Sequence, residues 1–214
     1  MTPNEIIGSL VYRTNNALNN NASFLEKIKA YRYYPAITHD EKLHLWHFPG
    51  TNQEISQVFK TLSGNSLNGS ELKFPAVINF QSVMQEHELF PGITVNRYNL
   101  AIIAPVLDTW TTQQREAQVY KLVLKPIEDE LIRQIGMFRH FQKPVGRFPY
   151  KSVYVPTTGH SLNSVMKMQY GDFLDAIELP NLSIKVLETC ESMSNIIIEE
   201  NKKVTDEIIN IIRK

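Results

Sequence analysis

The chain has 214 residues, 43% of them apolar, and its 22 basic residues balance its 22 acidic ones. The apolar content excludes a disordered chain, and the neutral net charge argues against a dedicated duplex-binding protein. The single cysteine, Cys190, excludes an intramolecular disulfide and a cysteine-pair zinc site. Because we find neither a signal peptide nor an apolar run long enough to span a bilayer, we expect a soluble protein.

Two capped helices are predicted in the N-terminal part of the chain. Residues 2–5 read Thr-Pro-Asn-Glu, which is a capping box with proline at the first helical position. They predict a helix that runs to about Asn19. Residues 51–54 repeat the capping pattern and predict a helix that ends near Gly64. A weaker helical signal covers residues 23–32.

Five segments have the alternation or β-branched composition of strands. They are residues 42–48, 74–80, 93–107, 151–155 and 182–187. Pro49 and Gly50 are expected to end the first strand, and Pro105 predicts a bend or an edge position near the end of the third.

The longest helix is predicted from Thr112 to Ile135, where apolar residues recur every four positions. Pro126 lies inside it and is expected to kink it, because proline removes a backbone hydrogen bond and crowds the preceding turn. Gly136 is the expected stop.

The mixed order of helices and strands predicts an α+β fold with a mainly antiparallel mixed sheet and helices packed on one face. We expect one domain over residues 1–190, which contains a long irregular basic insert at about residues 137–171. A C-terminal helix is expected over residues 191–214, where apolar residues form a stripe.

The corner between the third strand and the long helix carries polar residues that could be catalytic or structural. Asp108 follows the strand, Thr111 or Thr112 can cap the helix, and Arg115 lies on its first turns. We expect Arg115 to pair with Glu116, Asp108 or a neighbouring chain. Because no second carboxylate or histidine is close in sequence, we favour a strand–helix junction over an active site.

The other candidate chemistry is sparse. His44 and His47 have a spacing that could hold a metal on a helix, but on a strand they point to opposite faces. The loop around His160 has hydroxyls and a glycine, yet it lacks the lysine and glycine spacing of a phosphate-binding loop. We therefore expect no catalytic residue, no cofactor and no metal.

Charge is strongly segregated along the chain. Residues 131–171 contain no Asp or Glu, but they contain six Lys or Arg and six Phe or Tyr. From residue 172 onward, nine acidic residues outnumber five basic ones. This split can pair within one monomer, steer copies into head-to-tail contact, or place a basic loop on nucleic acid. The candidate contact residues are Arg139, Lys143, Arg147 and Lys151.

Two segments of the chain have a distinctive pattern. The first is the strand that ends in VLD, its polar turn with an arginine, and the helix QVYKLVLKPIEDELI. The second is YGDFLDAIELPNLSIKVLE, residues 170–188, which leads into the last strand. Both segments resemble phage tail-completion proteins, also called tail terminators, and related head–tail connector neck proteins of phages and prophages of Bacteroides-type bacteria. The segment FPAVINF fits an early strand of the family's sheet.

This resemblance implies an α+β virion structural protein without catalytic activity, which forms a ring in the phage neck or tail after synthesis in the host cytoplasm. Such rings are commonly hexameric, and neck rings can be dodecameric. The implied partners are other copies of the chain, further neck, portal or tail proteins, and DNA that passes through the lumen, with no membrane. The basic insert and the C-terminal helix depart from the family pattern.

Two other functions remain open from the residues alone. The basic aromatic segment 131–171 could make the chain a nucleic-acid-binding module. A small hydrolase-like enzyme could place its site near Asp108, Arg115 and His160.

Overall fold

The computed structural model describes residues 2–64, 73–88, 93–137, 141, 149–156 and 173–187. The helices are α1 (Pro3–Asn19), α2 (Ala22–Ile28), α3 (Tyr34–Ile37), α4 (Asn52–Gly64), α5 (Thr112–Arg115) and α6 (Lys125–Met137), and a π-helical segment (Glu116–Leu124) joins the last two. The strands are β1 (Thr38–His39), β2 (Lys42–Leu43), β3 (Trp46–Gly50), β4 (Ala76–Glu88), β5 (Ile93–Pro105), β6 (Val153–Val155) and β7 (Leu174–Leu187).

The main sheet has five strands in the order β3-β4-β5-β7-β6, and β1 and β2 form a separate two-stranded sheet. Strands β3 and β4 are parallel, whereas β4–β5, β5–β7 and β6–β7 are antiparallel. This topology confirms the predicted α+β class with a mainly antiparallel mixed sheet.

The alternation of side chains along the central strand β5 builds two cores. Leu100, Ile102 and Ala104 face α1, α2, the π-helical segment and α6. Ala101 and Ile103, which alternate with them, belong to a second core on the opposite face. Because side chains along a strand point to opposite faces in turn, this nearly continuous apolar run covers both faces of the sheet.

Helix α4 corrects the expectation that the helices pack on one face. Its residues Ile55 and Phe59 lie in the second core, where the ring of Phe59 meets Phe48 and Phe74 edge-on at centroid distances of 4.9 and 5.6 Å. The reason is topological: adjacent parallel strands need a crossover connection, and α4 is the crossover between β3 and β4.

Both capping boxes form as predicted. The Glu5 N–H donates to Thr2 Oγ1 at 3.3 Å, and the Thr2 N–H donates to the Glu5 carboxylate at 2.6 Å. The same reciprocal pair joins Thr51 and Glu54 at 3.3 and 2.8 Å. These bonds satisfy backbone donors that a helix start leaves free, so α1 and α4 begin where the sequence predicts.

The long helix is continuous from Thr112 to Met137, but its middle is π-helical, as the Lys125 N–H shows by donating to the carbonyl of Tyr120, five residues back. This wide stretch ends just before Pro126. In a regular α-helix the Pro126 ring would crowd the carbonyl four residues earlier, and a wider turn relieves that contact. The kink predicted at Pro126 stays a prediction, and the observed departure from α-helical geometry is the π-helical segment.

Several strand boundaries differ from the predictions. The strand expected over residues 42–48 is divided into β2 and β3, and β3 includes Pro49 and Gly50. β7 begins at Leu174, well before residue 182, because a register shift near Asn181, which has a φ of 53°, breaks the alternation without ending the strand.

Much of the predicted basic insert and the whole predicted C-terminal helix lie outside the described residues. Within the insert, residues 149–156 are described and contain β6, and Phe141 forms a bridge to Val186 of β7. In the part of the chain that the structure describes, no helix has the length and apolarity needed to cross a membrane.

Candidate functional site

The strand–helix corner between β5 and α5 is closed by a capping threonine. The Thr111 N–H donates to the Gln114 side chain at 2.9 Å, and the Gln114 N–H donates to Thr111 Oγ1 at 3.3 Å. Thr111 is therefore the cap, because Gln114 lies three residues after it and completes a capping box. Thr112, the other candidate, is the first residue of α5 and is exposed.

Arg115 lies in the interior of the corner rather than on its surface. The side chain is 2% exposed, and its Nη1 donates to Asp175 Oδ1 at 2.7 Å, while Asp175 is fully buried. Nε and Nη2 donate to the carbonyls of Trp110 and Leu107, each at 3.2 Å. The guanidinium group thus joins the corner turn to the start of β7, where its partner Asp175 lies 60 positions further along the chain.

The two partners expected for Arg115 within the chain, Glu116 and Asp108, were wrong, since Arg115 pairs with Asp175 and Glu116 with Lys121. Asp108 is exposed on the turn, and no hydrogen bond or ion pair joins it to any residue that the structure describes. The actual partner, Asp175, was missed, although one signal was present: it is a carboxylate inside the apolar run of β7. A charged residue at a buried strand position is expected to have a charged partner. His160, the third residue of the hydrolase hypothesis, lies outside the described residues.

A tyrosine completes the packing of the corner. The hydroxyl of Tyr31 donates to the carbonyl of Pro105, the last residue of β5. Burial raises the pKa of Tyr31, and the charges of Tyr33 and Asp175 add to the effect, so the hydroxyl keeps its proton. Side chains therefore hold the carbonyls of Pro105, Leu107 and Trp110, and the corner is a packed joint.

A cleft of about 450 Å³ runs along the outer side of this joint. One wall is the long helix, where Glu116, Tyr120 and Lys121 of the π-helical segment lie between Thr112 of α5 and Lys125 of α6. The π geometry brings residues four and five apart to the same side, as shown by the ion pair between Lys121 Nζ and Glu116 Oε1 at 3.2 Å. The other wall is the edge strand β6, with Tyr154 and the following residue Pro156.

Two tyrosines meet across the cleft. The rings of Tyr120 and Tyr154 have centroids 5.2 Å apart and an interplanar angle of 48°. Tyr120 is 8% exposed, and its buried hydroxyl has no hydrogen-bond partner among the described residues. Burial raises the pKa of Tyr120, Asp175 raises it further, and Arg115 partly opposes this shift. The hydroxyl is therefore a protonated donor at neutral pH.

Two carboxylates bind a lysine that lines the cleft. Lys125 Nζ lies 2.8 Å from Glu128 Oε2 and 2.9 Å from Asp129 Oδ1. Desolvation alone would lower the pKa of Lys125, but the hydrogen bonds and charges of the two carboxylates outweigh it and raise the pKa. Lys125 is thus committed to the protein's own acids, and Glu128 is fully buried beneath it.

The basic contact candidates are described only in part. Lys151 is exposed and lies two residues before β6, close in sequence to the exposed Val153 and Tyr154. Arg139, Lys143 and Arg147 lie outside the described residues.

The histidine pair behaves as part of the packing. His47 lies in β3, and burial lowers its pKa to about 4, so its ring is neutral at physiological pH. Across the described ranges, no group of three or more His, Cys, Asp or Glu side chains is placed to hold a metal ion.

The cleft combines two aromatic side chains, a buried hydroxyl and the ammonium group of Lys121, so its chemistry is that of hydrogen-bond donation beside aromatic surface. Comparisons of the chain with protein families, with curated proteins and with solved structures give no match.

Proposed function

We propose that this chain is a structural protein of a phage particle that assembles into a ring in the neck or at the tail end and joins the head connector to the tail. The observation that carries the proposal is the buried pair between Arg115 and Asp175. Each of the two segments that resemble tail-completion and neck proteins contributes one member of this pair. Their polar residues meet inside the fold and serve its packing.

The same pair supports a role in assembly rather than catalysis. Arg115 donates at least three hydrogen bonds within its own chain, one to Asp175 and two to backbone carbonyls. A ring subunit benefits from such a joint, because contacts with neighbours on both sides require a body that keeps its shape. Charge segregation supplies the contact chemistry, with the basic segment of one copy meeting the acidic part of the next.

Arg139, Lys143, Arg147 and Lys151 are the proposed contact residues. They bind either the neighbouring copy or DNA in the lumen of the ring. Of these, Lys151 is exposed beside the edge of the sheet, a position from which a neighbouring molecule can be reached.

The test is the mass of the purified chain by light scattering across a concentration series, with negative-stain images of each peak. We expect closed rings of about six or twelve copies. Replacing the four contact residues with Ser should abolish them. A control that replaces the exposed residues Lys27, Arg32, Lys42 and Lys60 with Ser removes the same charge elsewhere and should leave the rings intact.

Two results would count against this proposal. If rings form equally well in both quadruple variants, the four basic residues are not contacts of the interface. A monomer at every concentration that binds DNA with strong salt dependence would favour the nucleic-acid-binding module instead.

A further inference from the structure

We propose that the cleft between the π-helical segment and β6 binds a small aromatic carboxylate. This site goes beyond ring assembly and does not depend on it. The volume of about 450 Å³ lies within the range of small-molecule sites in proteins. π-Helical turns are rare and occur frequently at functional sites, and here the wide turns form one wall of the cleft.

The aromatic part of the ligand is inferred from the two tyrosines. Tyr154 lines the cleft and is 49% exposed, although its ring contacts that of Tyr120. In β6 it pairs with Ile177 of β7, whose side chain belongs to the helix-facing core. Tyr154 therefore points toward the π-helical segment, where a flat ring can pack against it and lose its contact with water.

The hydrogen-bond acceptor is inferred from the Tyr120 hydroxyl. This hydroxyl is buried and has no partner within the described ranges, which is an unfavourable state for a polar group. Because burial raises the pKa of Tyr120, the group remains a donor. A ligand oxygen that reaches it would satisfy the donor.

The negative charge of the ligand is inferred from the cations of the lining. The cations of the lining are Arg115, Lys121 and Lys125, and the acids paired with them are Asp175, Glu116, Glu128 and Asp129. Arg115 and Lys125 are held by buried carboxylates, whereas Lys121 is paired with Glu116 in a bridge whose two side chains are 68% and 60% exposed. Such an exposed pair is weak, so Lys121 can turn to a ligand. Tyr120 and Lys121 are consecutive, and one carboxylate can accept from both.

The experiment uses 2-naphthoate as the probe and its neutral analogue 2-naphthamide for comparison, with the dissociation constant measured by calorimetry on the full chain. We expect saturable binding of one 2-naphthoate per chain. Tyr154→Ala should weaken it about tenfold or more, because it removes one wall. Tyr120→Phe should weaken it by about three- to tenfold, the usual effect of one hydrogen bond.

Two comparisons separate the site from general effects. Val153→Ala alters the neighbouring residue of β6, which pairs with Glu178 on the opposite face and is also exposed, so it should leave the affinity unchanged. Lys121→Gln should weaken 2-naphthoate and leave 2-naphthamide unchanged. Thr112→Trp fills the cleft from an exposed position without removing a packed side chain, and it should abolish binding even if Tyr154→Ala fails to fold.

The proposal is overturned if 2-naphthoate does not saturate at millimolar concentration, or if Thr112→Trp leaves its affinity unchanged. If both probes bind with equal affinity and Lys121→Gln has no effect, the site does not recognise the carboxylate of the ligand. Light scattering on the same samples reports ring assembly separately, so a failure of either proposal is distinguishable from a failure of the other.

Discussion

Removing the Arg115 side chain is the most informative perturbation of the corner. In Arg115→Met, Asp175 keeps its charge in a fully buried position but loses the 2.7 Å bond to Nη1. The carbonyls of Leu107 and Trp110 lose their guanidinium donors as well, while Leu107 keeps the bond from the Trp110 N–H. Methionine fills part of the space, so the loss is mainly electrostatic.

The expected cost follows from the burial of both partners. Breaking a buried ion pair by removing one member costs about 3–5 kcal/mol, because a charge remains without compensation. Each lost carbonyl bond adds roughly 1 kcal/mol unless water replaces the donor. We therefore expect Arg115→Met to lower the free energy of unfolding by at least about 3 kcal/mol, a large share of a typical total.

The assay is urea unfolding followed by tryptophan fluorescence and circular dichroism, with linear extrapolation to water. Lys121→Gln is the matched control, because it breaks an exposed pair on the same helix and should cost less than about 1 kcal/mol. The double variant Arg115→Met/Asp175→Asn should lose less stability than Arg115→Met alone, since residue 175 then carries no charge at its buried position. Equal losses for Arg115→Met and Lys121→Gln would refute the reasoning.

Three further predictions concern stability. Phe59→Ala removes a fully buried ring and should cost about 3–5 kcal/mol in urea unfolding, whereas Val58→Ala, at its exposed neighbour, should be close to neutral; similar costs would argue against the second core. Thr51→Ala should lower the free energy of unfolding by about 1 kcal/mol through loss of the helix cap, and an unchanged urea midpoint would contradict this. The pKa of His47 falls from 6.5 to about 4 on folding, so the unfolded chain takes up a proton first and stability should fall as pH drops from 6.5 to 4, by up to roughly 3 kcal/mol. His47→Phe should flatten that part of the profile, and parallel profiles would exclude His47 as the cause.

The corner shows how far sequence reasoning reaches for the candidate site. It located the strand–helix junction and singled out Arg115, but it expected a partner nearby and kept Thr112 beside Thr111 as a candidate cap. The cap is decided by a spacing of three residues, so the position of Gln114 could have identified Thr111. The partner could not be found in this way, because Asp175 is 60 residues away and only strand pairing between β5 and β7 brings it to the corner.

The sequence by itself determined the features that depend on neighbouring residues: the starts of α1 and α4, the extent of the long helix and the α+β class. Capping, proline chemistry and apolar periodicity act within a few residues and are therefore legible in the chain. Only the tertiary structure decided the partner of Arg115, the face on which α4 packs and the cleft between the π-helical segment and β6. These features join segments that are distant in sequence, and they follow from strand order and burial, which no local pattern specifies.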